Sequence, residues 1–425
     1  MNEFDVVVIG GGPAGSSAGA ILAEKGRRVA VLDRTAFPRY HIGESLLPYG
    51  YFPLHRLGLI EKMKQSHFPK KYSVQFVSTN GKQSVPFYFS EHLDHEASMT
   101  WQVLRSDFDR MLLENASDKG ARVMHDTTAR DLIWEDGTVT GVRFEHQGVS
   151  REIRAKMTID ATGRDAFAAT RNGWKVRDPR LDKIAIWTYY KGALRDPGRD
   201  EGATTVAFVP EKGWFWYIPL PGDVISVGVV ADKDYLYSES RDLETIYKRE
   251  IAKNKWIEEH VSHGTVCDEY RVTGEYSYRS RHCAANGLLL AGDAFGFLDP
   301  VFSSGVCLAL HSGVMAGDEV DAALTAEDVS AARFTEYGRT FCYAIEQMRK
   351  LVYAFYDTRF NFREFFAVYP HMKADVTDCL IGHLFTRNYD ELFGAMRDFA
   401  SIPEPVAHGA PLLESGELVG QRHRL

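Results

Sequence analysis

A chain of 425 residues can build one large or two medium cores, because single cores rarely grow beyond roughly 250–300 residues. Its 50 basic and 58 acidic side chains give a formal charge of -8, which favours solubility and offers nucleic acid no net electrostatic footprint. Cys267, Cys283, Cys307, Cys342 and Cys379 lack CxxC or metal-ligand spacing, so free thiols, no metal and a reducing cytoplasmic setting are expected.

Residues 4–9 (FDVVVI) form a β-branched run and read as a buried strand. Residues 10–15 (GGGPAG) are a turn, 16–25 a small-residue helix, and 28–32 a second strand ending at Asp33. Strand, helix and strand in this order make a parallel α/β sheet. No basic-then-apolar leader precedes them, and no apolar run is long enough to span a membrane. Residues 34–60 read as a loop and short helix, and the alternation in 72–101 as strands. A striped helix follows over 104–119, then strands at 121–124, 131–134 and 139–145 leading to 157–163. From 184 to 231 strands are expected at 186–191, 204–209, 214–218 and 224–230, with turns at Pro197-Gly198, Pro210 and Pro221-Gly222-Asp223. Residues 305–325 are a helix, 331–400 are helical and rich in aromatics, and the Pro/Gly-rich tail from 402 is expected to be loose.

The nucleotide site lies in the first turn. Gly10, Gly12 and Gly15 occupy the GxGxxG positions after a strand and open a helix, giving a tight turn, room for a pyrophosphate and close helix packing. Pro13 and Ala14 complete that turn, whose free N–H groups meet phosphate. Asp33 ends the second strand where a carboxylate can hold ribose hydroxyls, with Arg34 beside it. These features suit either FAD or NAD. Two later ones favour FAD: Arg105 opens the 104–119 helix, where a cation can meet phosphates, and Gly292-Asp293 follows a strand and precedes a helix.

With DATG at 160–163 and this Gly-Asp pair, residues 4–330 resemble the FAD-dependent aromatic hydroxylase and halogenase superfamily. The fold class implied is α/β, an FAD-binding dinucleotide fold with a mixed-sheet substrate domain and a C-terminal helical region. Residues 1–75, 102–180 and 272–330 are assigned to the FAD domain, 76–101 and 181–271 to the substrate domain, and 331–425 to the helical region and tail.

Three segments resemble the flavin-dependent halogenases, on the branch acting on phenolic, pyrrolic or carrier-tethered substrates. Trp214, Trp216, Ile218 and Pro219 match WxWxIP; tryptophans two apart share one strand face, either walling a passage or serving as core. Phe297, Pro300, Ser303 and Gly305 match a motif carried beside the flavin. Ser304 and Gly305 open a helix whose N–H groups can seat a halide or bond only flavin and water. Glu44, in the matching 43–48 segment, precedes Phe68-Pro69-Lys70-Lys71-Tyr72-Ser73, where the resemblance makes Lys71 the catalytic lysine. The family often has glycine where Ser73 stands, and a lysine pair is ordinarily solvated surface.

The resemblance implies that reduced FAD and oxygen form a C4a-hydroperoxide, that chloride or bromide turns it into hypohalous acid, and that a separate flavin reductase supplies the FADH2. An acyl- or peptidyl-carrier protein is the expected presenter of the substrate. Trp214 and Trp216 are counted with Lys71 in the catalytic set. His41, His55 and His67 receive no role. Phe341, Tyr343, Tyr353, Phe355 and Tyr356 either line a substrate pocket or pack on the sheet. The alternatives are a phenol-hydroxylating monooxygenase, a reductase of isoprenoid double bonds, and a flavoprotein module without turnover.

Overall fold

The computed structural model describes residues 4–210, 213–274 and 277–413. Its first sheet runs in the order 284–285, 288–290, 149–160, 4–9, 29–32, 122–124. From Leu288–Leu290 to Arg122–Met124 every pairing is parallel. The first strand sits between Val29–Leu32 and Val149–Asp160, so the chain leaves it in one direction and returns on the other side. Such a reversal opens a crevice at the strand's C-terminal end, here Ile9-Gly10.

Helix Pro13–Glu24 packs against helix Gly305–Thr325 through small residues. A Cβ on Gly313 would stand 2.3 Å from the Ala14 carbonyl oxygen, and one on Gly317 would stand 2.7 Å from Ile21. Backbone approach at this range is what brings the start of the second helix beside the glycine turn.

The second sheet, ordered 265–266, 183–191, 224–232, 213–220, 204–209, 73–77, 87–88, is mostly antiparallel. Residue alternation divides its faces. Trp214, Trp216 and Ile218 join the main core, whereas Phe215 and Tyr217 join a second core closed by helices Leu243–Ile251 and Lys255–Ser262. Those two helices are absent from the sequence reading, which followed the strand pattern only to 231.

Other expectations need correction. Region 72–101 is mainly loop and short turns, with strands only at Ser73–Val77, Phe87–Tyr88 and Thr100–Trp101, the last pairing with Lys70–Lys71 just before it. The segment from 402 to 413 is pinned: Leu412 N–H donates to Ala284 O, Gly409 N–H to Arg281 O, and Ile402 and Leu412 are buried. Residues 414–425 of the tail lie outside the described residues. Among the described residues no helix is long and apolar enough to cross a membrane, and all five cysteines are unpaired.

Candidate active site

A cavity of about 760 Å³ opens at the sheet reversal and extends to the second sheet. At the near end it is lined by Gly10, Gly12, Pro13, Ala14, Asp33 and Arg34. Two glycines are dictated by space: a Cβ on Gly10 would lie 2.4 Å from Ala161 O, and one on Gly15 would lie 1.8 Å from Gly10 O. Asp33 is buried and partly committed. Its Oδ2 accepts from Gly11 N–H at 2.8 Å and its Oδ1 from Thr35 N–H at 3.0 Å. Arg34 is exposed and pairs with Asp165.

Arg105 lines the same cavity but turns most of its guanidinium inward. It forms a two-point pair with Asp109 and donates to Ile42 O at 2.6 Å, so it braces the 41–45 loop. Asp293 lies opposite, its carboxyl raised to about 6 by burial against the pull of Arg164 and Arg105. Gly292 takes φ +58 with Ala14 2.9 Å from a virtual Cβ, which ties the Gly-Asp turn to the glycine turn.

The far end of the cavity is built by two sheet strands and the 297–305 loop. Thr204, Val206, Trp214, Trp216 and Ile218 line it from one face. Gly228 lies opposite Trp216 in the register, and a Cβ there would come within 2.3 Å of the indole. Trp214 Nε1 donates to Tyr356 OH at 2.8 Å, and Tyr356 in turn donates to the buried Asp299 at 2.9 Å. Ser303, Gly305 and Val306 line this end. Ser304 is buried outside the lining, with Ser303 at φ +55 turning the chain into the helix. Nothing lies within 4 Å of a Cβ built on Gly305, so the helix start faces open space.

The two adjacent lysines part company. Lys70 is exposed and Lys71 is 1 % exposed, on opposite sides of a short strand. Lys71 Nζ donates to Ser45 Oγ at 2.8 Å and Leu46 O at 3.1 Å, and lies 5.5 Å from the Phe89 ring centre. Ser45 Oγ meets Thr204 Oγ1 at 2.7 Å, and both residues line the cavity. Lys71 thus stands one hydroxyl behind the cavity wall. Burial lowers its amine to about 7. Ser73, two residues on, donates to Asp200 at 2.7 Å.

Glu44 also lines the cavity. Burial raises its carboxyl to about 7, partly offset by Ser226, Tyr189 and Arg105. Its Oε1 accepts from Tyr189 OH at 2.8 Å, while Oε2 makes no hydrogen bond among the described residues. His41 lines the cavity and is lowered to about 4 by burial, hence neutral; His55 and His67 are exposed.

The aromatic stripe of the last long helix, Thr335–Tyr356, does not line this cavity. Phe341 is core against Phe295, Tyr343 OH accepts from Tyr389 N–H, and Tyr353 OH donates to Asp178. Phe355 and Tyr356 border a separate smaller hollow with Phe208. Sequence reasoning missed Ser45, Thr204, Tyr189 and Gly228, which are ordinary residues until the fold assembles them, and it did not foresee Tyr356 as the partner of Trp214.

The near end accommodates a dinucleotide by its glycine turn and helix start, and the cavity also offers a buried carboxyl with one oxygen unbonded and an open helix N-terminus. The family model for tryptophan halogenases matches residues 5–97 and 77–365. The chain belongs to this family. It is therefore an oxidoreductase of the flavin-dependent halogenase class. The 1H-pyrrole-2-carbonyl-[peptidyl-carrier protein] chlorinase of Pseudomonas fluorescens is 28% identical over 95% of this chain and 94% of that protein. The corresponding brominase of Pseudoalteromonas luteoviolacea is 32% identical over 77% of this chain and 80% of its own. The flavin-dependent brominase Bmp2 superposes with a TM-score of 0.85 at 27% identity, covering 94% of this chain and 99% of that one. The myxobacterial chondrochloren halogenase CndH gives 0.80 at 30% identity, with 92% and 95% covered.

Proposed function

We propose that this family member binds FAD in the main cavity and uses FADH2, oxygen and chloride or bromide to halogenate an electron-rich ring held near Lys71. A pyrrole presented on a carrier protein is the favoured substrate, with a phenol as the runner-up. The observation that carries this reading is Lys71: fully buried, and separated from the cavity by Ser45 alone. The two carrier-protein relatives support the pyrrole.

Gly12, Ala14 and Gly15 would hold the phosphates on backbone N–H groups, with Pro13, which has none, and Gly10, whose N–H donates to Leu32 O, shaping the turn; Asp33 and Arg34 would hold the adenosine end, and Asp293 with Gly292 the ribityl end. Arg105 positions the loop between them. Bound reduced FAD supplies, with oxygen and halide, an electrophilic halogen. The chain's own task is to route and hold it. Backbone N–H groups at the start of the 305–325 helix, Ser304 and Gly305, seat the halide anion. Trp214 and Trp216 form a wall, so a ring meets the halogen near Lys71 rather than at the flavin. An amine near neutrality serves either way: protonated, it donates a hydrogen bond that polarises the halogen, and neutral, it captures the halogen covalently. A separate flavin reductase, as the family resemblance implies, is assigned the supply of FADH2.

The test mixes fully reduced, FAD-loaded protein with oxygenated buffer, with and without bromide or chloride, in the presence of a generic enol trap and, separately, a pyrrolyl-carrier protein. Halide-dependent mass shifts on both acceptors are expected. Flavin oxidation yielding only hydrogen peroxide with either halide would sink the reading.

A further inference from the structure

A second hollow, of about 380 Å³, opens beside the end of helix Thr335–Tyr356. Ser78 and Thr79 form one lip, Thr358 the other, and Phe208, Phe355 and Phe360 the apolar interior.

This hollow and the flavin cavity lie on one face of the second sheet. Strands Ser73–Val77 and Thr204–Val209 run parallel, with Val74 opposite Thr204 and Phe76 opposite Val206. Alternate residues share a face, so Thr204 and Val206, which line the flavin cavity, lead along their strand to Phe208 in the hollow. The neighbouring strand carries Val74 and Phe76 on that face, both partly exposed, whereas Ser73, Gln75 and Val77 are buried. Lys71 stands at the start of the two strands, joined to Thr204 through the Ser45 hydroxyl. A half-open apolar lane thus runs from the hollow to the lysine. It is paved with rings: Phe76 stacks on Phe208 at 6.4 Å between centres, Phe208 on Phe355 at 5.4 Å, and Phe355 meets Phe302 edge-on at 5.7 Å.

The strand sets the length of this lane, since four residues from Thr204 to Phe208 rise about 13 Å. A free ring needs no such approach. A ring on a carrier protein does, because its thioester hangs from a phosphopantetheine arm seated on a bulky domain. About thirteen bonds separate the phosphorus from the sulfur, and an extended chain advances roughly 1.2 Å per bond, so the arm reaches about 15 Å. That reach spans the lane and leaves the phosphodiester at the mouth. The mouth carries charge to receive it. Lys82 ends the turn that Ser78 begins, and Lys255, packed on Gly81, is exposed beside it. Asp357, an acid on the lining, is already paired with Arg359 and accepts from Ser401 N–H.

We propose, on the reading that this chain halogenates a carrier-tethered ring, that the hollow and its lane seat the phosphopantetheine arm, with the phosphate at Lys82 and Lys255 and the thioester toward Lys71. Tyr356 lines the hollow and bonds Trp214 of the flavin cavity, so this pair stands between the arm and the flavin.

Photolabelling locates the arm. FAD-loaded protein is mixed with a carrier protein whose arm ends in a stable amide bearing a diazirine, irradiated, digested and read by mass spectrometry. Label is expected on peptides carrying residues 76–79, 208 or 355–360, and is lost when Thr79→Trp or Thr358→Trp fills an exposed lip. In turnover the same two variants halogenate the pyrrolyl carrier about tenfold or more slowly than wild type, and a free enol trap within about twofold of it. Lys82→Glu combined with Lys255→Glu raises KM for the carrier several-fold with kcat unchanged. Label elsewhere or none, or carrier halogenation by both tryptophan variants at the wild-type rate, would overturn the proposal. Equal slowing of the free trap and the carrier would assign the hollow to a free ring and overturn it as well. Labelling needs neither oxygen nor halide. A wild type that labels in the hollow but halogenates nothing therefore overturns the halogenase reading and leaves the seat of the arm standing.

Discussion

Lys71 shows how much one residue's burial decides. An unfolded lysine titrates near 10.5 and the buried one near 7, so between those values the unfolded chain binds more protons and stability rises with pH. The cost of burying the amine is thus fully expressed below pH 7 and fades toward pH 10. Lys71→Met should unfold at a higher temperature than wild type at pH 6, a gain of roughly 1–4 kcal/mol, and lose that advantage by pH 9 to 10. The same variant should lower halogenation of the pyrrolyl carrier roughly a hundredfold or more, with FAD binding intact. Thermal scans at the two pH values and mass spectrometry of the carrier check these outcomes, and a variant less stable than wild type at pH 6 would contradict the first. In the sequence Lys70 and Lys71 are indistinguishable by chemistry. Strand alternation separates them only once the pairing with Thr100–Trp101 exists.

At the scale of elements, the wall of the cavity depends on a helix whose aromatic stripe the sequence reading left between lining a substrate pocket and packing on the sheet. Tyr356, at the end of helix Thr335–Tyr356, couples Trp214 of the 213–220 strand to Asp299 of the 297–305 loop. Asp299 is held at about 6 by burial, with the Tyr356 bond pulling it down. Tyr356→Phe removes both bonds and leaves a buried carboxyl and an indole N–H short of partners. A stability loss of about 1–3 kcal/mol is expected. A fall in halogenated product per oxygen consumed should accompany it, since a mobile Trp214 lets the halogen escape. An unchanged ratio of product to oxygen would show that the bridge is structural alone. The two tryptophans were legible as one face of a strand because a period of two needs only the sequence. The bridge was not, because residues 214, 299 and 356 meet only through packing.

Across the whole molecule, the C-terminal helix is locked to the rest by buried charge. Glu346 accepts from Arg279 and Arg349, Arg349 lies 3.4 Å from Asp178, and all three Glu346-network side chains are buried. Glu346→Gln leaves two guanidiniums sharing one carboxylate fewer, and a loss of roughly 3–5 kcal/mol is expected in denaturant unfolding. A loss below 1 kcal/mol would mean that water already satisfies the arginines. The first strand-turn-helix-strand and the 305–325 helix were readable because their signals are local: β-branched runs, glycines at fixed offsets and a helix start. Helices Leu243–Ile251 and Lys255–Ser262 carry equally local caps at Asp242 and Asn254, which strand reasoning passed over.

The sequence by itself determined the dinucleotide turn, the family resemblance and the paired tryptophans, since each is a pattern within a few consecutive residues. Only the tertiary structure decided which lysine is buried, that Ser45 stands between it and the cavity, and that Tyr40, Tyr189 and Glu44 form one hydrogen-bonded line ending on the carboxyl of Glu44. Those residues are 26 to 149 positions apart in the contacts they make. Distance of that kind is closed only by packing, and it is packing that removes water and shifts Lys71 and Glu44 toward neutrality.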